Sequence, residues 1–321
     1  MRLRRIWKQF NNHHEGHPSV GLWHRFRPSP WGGGNQFMWA LKKELVRQGW
    51  KVLENEGGKD VSFHILHARH FDIRKFRREW KSAACPVIHR IDGPVALYRS
   101  DGSGKEQDEE CFAINSKYAT VTVFQSNWSL RQNLSLGYKP VGPIVISNAA
   151  DPEIFHSQGR IKFSRDRKIR LISVSWSDNL GKGAPIYKSL ENLLDWSRYD
   201  YTFVGNSLVS FNNIRQIAPV TSLELAEILR NHDIFITASR NDPCSNSLLE
   251  ALTCSLPSIY LNSGGHQELV KEGGLPFNEV EEVPDQLDCL ADAYERFQSL
   301  ISVPRIETVA GRYLEAAGLR L

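Results

Sequence analysis

The chain lacks any apolar run near the roughly 18 residues that a helix needs to cross a bilayer, so no membrane span is expected. Cysteine is scarce: five residues (Cys85, Cys111, Cys244, Cys254 and Cys289), odd in number and with no Cys-x-x-Cys spacing, exclude a zinc ribbon, a dithiol redox motif and a disulfide framework. A reducing cytoplasm is the expected location. No Asp-x-Asp pair occurs, and no Cys/His cluster has ligand spacing, so no metal is expected. An excess of one charge is also missing, with 40 Lys and Arg against 36 Asp and Glu, and a formal net charge of +4 is too small to imply nucleic acid. The opening MRLRRIWKQFNNHHEGH is basic, but polar Asn and His stand where a signal peptide has its apolar run, so none is expected.

What is present is an ordinary globular composition, 41% hydrophobic and 24% charged, in 321 residues, enough for two cores of about 150 residues each. Strand-like and helix-like runs alternate twice over. In the first half, strands are expected at Ser19–Phe26, at the end of WALKKELVRQGWKV, and at Asp60–His67, Cys85–Asp92, Thr120–Gln125 and Pro143–Asn148. In the second half they are expected at Ile169–Ser175, Tyr201–Gly205, Asn213–Pro219, Asp233–Ser239 and Ser258–Leu261. Tyr98–Glu110, polar and rich in Gly and Ser, reads as a mobile loop, and Asp285–Leu300 as one long helix. The charged, unpatterned His156–Lys168 is the expected linker between domains 1–155 and 169–321. The pattern is α/β, two doubly wound Rossmann-like sheets facing across a cleft.

The most informative stretch is Asp233–Glu268, DIFITASRNDPCSNSLLEALTCSLPSIYLNSGGHQE. It reads as strand, polar loop, helix from Asn246, strand and the glycine turn Gly264–Gly265. Ser245 is an N-cap residue, so the amides of Asn246, Ser247 and Leu248 are expected to project unpaired from the helix start, which suits a phosphate. Asp242 and Glu250 flank that start and could take hydroxyls of the same ligand; equally, they are a surface aspartate and a helix glutamate. Gly32, Gly33 and Gly34 stand at a strand-to-helix junction, either a close approach to a bound group or a flexible turn. Lys182 and Gly183 lie in the turn at the carboxyl end of Ile169–Ser175. Asp92, with His89 three residues before it, closes the strand Cys85–Asp92 at the edge where open α/β sheets bind ligands. His89 could instead be a buried hydrogen bonder.

The histidines do not read as a metal site. His64 and His67 point to opposite faces of a strand, and His13, His14 and His17 sit in a polar arm. Arg69–Lys81 interleaves Arg69, Arg74, Lys75, Arg77, Arg78 and Lys81 with Phe71, Ile73, Phe76 and Trp80. On a helix this is either a basic face for an anionic membrane or polyanionic acceptor, or a solvated helix whose aromatics pack inward.

An acidic residue, seven others and a glutamate at a strand-loop-helix junction, followed by Gly-Gly-x-x-Glu, resembles the nucleotide-binding core of the family-four (group 1) retaining glycosyltransferases, which have the two-domain GT-B fold. Glu250, Gly264, Gly265 and Glu268 match, and Asp242 replaces the usual first glutamate. Lys182 and Gly183 match the family's Lys-Gly, while Ser175 and Trp176 stand where Gly-Arg is expected, leaving Arg240 as a substitute cation. VFQSNWS and ISNAADPEIF resemble the last strands of its N-terminal domain, and Asp92 stands near a family histidine. The resemblance implies transfer of a sugar from a nucleotide-sugar donor to a glycan, lipid-linked or other hydroxyl acceptor, of the hexosyltransferase type, with retention and without metal or cofactor. Such work suits polysaccharide or cell-envelope synthesis in the cytoplasm or at the inner face of a membrane. Glu250 would hold the ribose; Gly33, Gly34, Lys182, Gly183, Asn246, Ser247 and Leu248 the diphosphate; Asp242, Asp92 and His89 the sugar and its chemistry. A nucleotide-sugar epimerase and a catalytically inactive nucleotide-sugar-binding protein are the alternatives.

Overall fold

The computed structural model describes residues 18–319 apart from 29, 59, 81–84 and 99–101. The basic opening segment, His13, His14, His17 and Lys81 therefore lie outside the described residues. The chain forms two compact units. One takes the described residues up to Phe26, Met38–Ser147 and those from Ile306 onward; the other takes Arg27–Phe37 and Asn148–Arg305. The stretch 156–168, expected as a linker, lies inside the second unit.

The first unit holds six strands, β1 (Ser19–Trp23), β2 (Lys51–Glu54), β3 (Phe63–His67), β4 (Val87–Ile91), β5 (Val121–Phe124) and β6 (Pro143–Val145), in the order β2-β1-β3-β4-β5-β6. Every pairing is parallel. β1, β3 and β4 are buried along their whole length, as expected of parallel strands covered on both faces. The segment read as a mobile loop, Tyr98–Glu110, instead enters the helix Ser103–Tyr118. Two devices hold its polar front: the Asp108 carboxylate accepts the amides of Val95 and Ala96 at 2.8 and 3.0 Å, and Gly104 packs directly on Ala96. The apolar positions that face the core, Cys111, Ile114 and Tyr118, come only in its second half.

The second unit repeats the design with β7 (Ile169–Ser175), β8 (Tyr199–Gly205), β9 (Arg215–Ile217), β10 (Ile234–Thr237), β11 (Ser258–Leu261) and β12 (Gly274–Phe277), ordered β12-β11-β10-β7-β8-β9. All these pairings are parallel too. β12, which the sequence reading lacked, is an edge strand carrying Pro276 where no partner lies beyond it. Its Gly274 is required by packing, since a Cβ there would stand 1.8 Å from the Ser258 carbonyl oxygen. The expected helix Asp285–Leu300 is two, Val283–Asp292 and Tyr294–Ser299, broken at Ala293 (φ −120°, ψ 34°). The break turns Tyr294 inward, where its ring stacks on Phe163 at 3.9 Å and its hydroxyl donates to the Asp233 carbonyl at 2.7 Å.

β10 is central to this sheet and Phe235 on it is fully buried against Ile172, Leu248, Leu252 and Tyr260. Phe235→Ala is expected to cost about 3–5 kcal/mol, read as a lower urea midpoint for the unfolding of this unit.

Candidate functional site

The strand order of the second unit reverses between β7 and β10. Chains leaving the carboxyl ends of these neighbours go to opposite sides, which opens a crevice at that point of the sheet edge. The loop after β7 ends in the 3-10 turn Leu180–Lys182 and Gly183, whose φ of 97° and a Cβ clash of 2.7 Å with Ala238 leave room for glycine alone. The loop after β10 carries Asp242. Lys182 Nζ donates to Asp242 Oδ2 at 2.8 Å, so two residues nominated for separate tasks are ion-paired. Burial opposes ionisation of Asp242, but Lys182 beside it, with a smaller contribution from His266, holds its carboxyl below the ordinary value.

The glycine turn has a local reason. Gly264 adopts φ +67° with its Cα so close to the Asp242 main chain that a Cβ would lie 2.2 Å from the Asp242 carbonyl oxygen, and the Gly265 amide donates to that oxygen at 2.8 Å. His266, fully buried, bridges the Leu261 carbonyl and Ser239 Oγ just behind.

The helix Asn246–Thr253 begins at Ser245, whose hydroxyl accepts the Leu248 amide. Leu248 therefore spends its N–H on the cap and is not available to a ligand, which corrects the expected set of three amides. Those of Asn246 and Ser247 remain without a partner among the described residues. Gly33 lies against this helix start, with a Cβ position 2.5 Å from Asn246 Cβ, and Asn148 Nδ2 donates to Asn246 Oδ1 at 3.0 Å. Gly34 follows in the first turn of the helix Gly33–Arg47.

Glu250 is on the same helix, one turn in. It is 7% exposed and makes no hydrogen bond or ion pair through its carboxyl among the described residues. Burial pushes its carboxyl up to about 8, so at neutral pH the free protein carries it largely protonated. A buried carboxyl without a partner among the described residues, beside two open amides at a helix start, leaves polar groups unsatisfied inside the fold.

Trp176, at the position where the resemblance expects an arginine, packs against Trp31 with ring centroids 5.4 Å apart and against Gly32. Trp31 is 47% exposed and Arg27 lies over its face at 5.4 Å. Neither tryptophan was singled out from the sequence as a site residue; the signal was Trp176 directly following a strand's carboxyl end. Arg240 is exposed, and its amide donates to the Gly181 carbonyl at 2.8 Å.

In the first unit, His89 is fully buried, with Nε2 on the Ala68 carbonyl at 2.7 Å and Nδ1 facing Asn115 Nδ2 at 3.3 Å. Burial lowers it to about 4. Both ring nitrogens are engaged inside the fold and the side chain is fully buried, which corrects His89 from a catalytic candidate to a structural hydrogen bonder. Asp92 is different. Its Oδ1 accepts from the fully buried Arg90 at 2.9 Å and from Gln125, and its Oδ2 lies 3.4 Å from His67 Nε2 and 4.0 Å from His70 Nε2. Burial opposes its charge, but Arg90 and then His67 hold the carboxyl well below the ordinary value, while its side chain stays 35% exposed. His64 turns the other way, accepting from Trp23 Nε1 at 3.1 Å, as strand alternation requires. Among the described residues no group of three or more His, Cys, Asp or Glu side chains could hold a metal ion, and no helix is long and apolar enough to cross a membrane.

Residues 202–297, which include Asp242, Glu250 and the glycine turn, match the family model of the glycosyl transferases group 1. No curated protein matches the sequence. Among solved structures, the chain is similar to a sucrose-phosphate synthase from Thermosynechococcus elongatus at TM-score 0.71 and 12% identity, covering 94% of this chain and 98% of that one. It is similar to Anabaena HepE, solved in complex with UDP-glucose, at TM-score 0.65 and 12% identity over 95% and 97% of the two chains. It is also similar to WaaG, a glycosyltransferase involved in lipopolysaccharide biosynthesis, at TM-score 0.60 and 13% identity over 94% and 97%. The two six-stranded parallel sheets with flanking helices match the Rossmann-like pair of the GT-B fold in these proteins.

The state of Glu250 has a consequence for stability. Its folded value of about 8 exceeds the ordinary 4.5, so between these limits unfolding releases a proton and stability falls as pH rises. Glu250→Gln removes that contribution. Its melting temperature relative to the unaltered protein is expected to climb between pH 5 and pH 8, measured by thermal denaturation in matched buffers.

Proposed function

We propose that this chain, whose residues 202–297 match the family model of the glycosyl transferases group 1 and which has the GT-B fold, moves a sugar from a nucleotide-sugar donor to a hydroxyl acceptor with retention of configuration. The observation that carries the reading is Glu250, a buried carboxyl with no partner among the described residues, one helical turn from the open amides of Asn246 and Ser247. A nucleoside diphosphate satisfies all three. Its ribose hydroxyls donate to Glu250, and its phosphates take the two amides and the positive end of the helix dipole. Lys182 adds a mobile charge to the diphosphate, and Asp242 orients the sugar beyond it. The leaving diphosphate is then stabilised by fixed dipoles and an ammonium, with no divalent ion required. UDP-glucose in HepE and ADP in Arabidopsis starch synthase IV are the ligands of structural neighbours, and they support a nucleotide-sugar donor here. In the first unit, Asp92, its carboxyl held well below the ordinary value by Arg90 and then His67, offers a charged, partly open acceptor for a hydroxyl.

The basic helix Ile73–Glu79 presents Arg74, Arg77 and Arg78 to solvent, while Phe76 is buried and Trp80 packs beside Tyr118. An anionic membrane would be met by charge and not by inserted rings. Sedimentation with anionic vesicles at low salt is expected to fall when Arg74, Arg77 and Arg78 are changed together to Glu, and no binding by the unaltered protein removes the membrane contact.

Two measurements test the core of the proposal. Hydroxyls donating to Glu250 favour its ionised form, so affinity for UDP, ADP or GDP, whichever binds, should rise with pH from 6 towards about 8. In Glu250→Gln the affinity is expected to be about tenfold weaker and its dependence on pH lost, because one acceptor becomes a donor. Equal affinities in calorimetry would end the ribose assignment. Transfer or slow donor hydrolysis is expected to persist in EDTA; restoration by magnesium or manganese after loss in EDTA overturns the metal-free part.

A further inference from the structure

Asp242 has almost no freedom to follow a ligand. Its neighbour Asn241 sits at φ 56° with its amide on Ser263 Oγ at 2.9 Å, and its own carbonyl is covered by the Gly264–Gly265 turn. Its side chain has a single methylene, and both oxygens are used: Oδ1 accepts the Cys244 amide at 3.2 Å, and Oδ2 accepts Lys182 Nζ at 2.8 Å. The Asp242 side chain is 10% exposed and that of Lys182 37%. Of the pair, only Lys182 can move, on four methylenes from the last residue of a short 3-10 turn.

We infer that the Lys182–Asp242 ion pair is a specificity latch, which opens only for a ligand that brings a diphosphate to draw Lys182 away and so frees Asp242 Oδ2 for a sugar hydroxyl. The inference rests on the phosphate site proposed above. An ammonium held by one carboxylate is shared less favourably with a second anion, and the carboxylate itself repels that anion. The diphosphate therefore competes with Asp242 for Lys182. A free sugar, or a sugar bearing no diphosphate, finds Oδ2 already occupied. The pairing thus selects sugars carried on a diphosphate, and it couples the sugar contact to occupancy of the helix start.

Inorganic pyrophosphate is the suitable probe, because it needs neither the base nor the sugar to be known. Asp242→Asn keeps the Oδ1 acceptor for Cys244 and removes the competing charge. Calorimetry without divalent ions is expected to show pyrophosphate binding about three- to tenfold more tightly to Asp242→Asn than to the unaltered protein, and at least about tenfold more weakly to Lys182→Met. A crystal structure of the pyrophosphate complex is expected to place Lys182 Nζ on a phosphate oxygen and beyond about 4 Å from Asp242 Oδ2, outside ion-pair reach. Pyrophosphate binding with equal or lower affinity for Asp242→Asn, or with the pair intact in the complex, overturns the latch and leaves the phosphate site standing. Failure of pyrophosphate and of nucleoside diphosphates to bind any of the three proteins overturns both.

Discussion

The parallel pairing of β7 with β10 is the constraint on which the candidate site depends. Each strand is followed in sequence by an element on a different side of the sheet, so the two loops at their carboxyl ends part from each other. Lys182 reaches into the gap from one loop and Asp242 from the other. The helix Asn246–Thr253 then points its start at the same edge, because the loop after β10 is short and ends in a capping serine. The glycines follow from this geometry and not from a need for flexibility: Gly183 fits against Ala238, and Gly264 against the main chain of Asp242, at distances that admit no side chain.

Two carboxyl groups eight residues apart are placed in opposite states by what surrounds them. Asp242 lies beside an ammonium and stays charged; Glu250 is buried with no charged group to offset the burial and rises to about 8. Burial alone would have raised both, so the lysine decides the difference. A charged carboxylate already satisfied by a lysine and a neutral carboxyl satisfied by nothing are different instruments. The first already has its partner, and the second has none among the described residues.

Much of this was legible in the sequence, and the failures have physical causes. Eleven of the strands were expected because their residues are β-branched or apolar and bounded by turn residues. β12 escaped because an edge strand tolerates Pro276 and a glycine, Gly274, at its start. The helix Ser103–Tyr118 escaped because a buried carboxylate, Asp108, and not an apolar stripe, anchors its first half. At the site, spacing nominated Glu250, Asp242, Lys182 and the helix start. It could not show that Lys182 and Asp242 meet, that Leu248 spends its amide on Ser245, or that Trp176 reaches Trp31, since each is a contact between segments distant in sequence or a matter of cap geometry.

The same distinction separates His89 from Asp92 in the first unit. They are three residues apart on one strand end, and sequence position alone ranks them together. Strand β4 stops at Ile91; His89 is therefore inside the sheet, where an imidazole must find two partners or lose stability, and Ala68 and Asn115 supply them. Asp92 is past the last pairing, where its side chain stays 35% exposed and Arg90 pairs with it. Where a strand ends decides which of its polar residues the fold consumes and which it leaves available for chemistry.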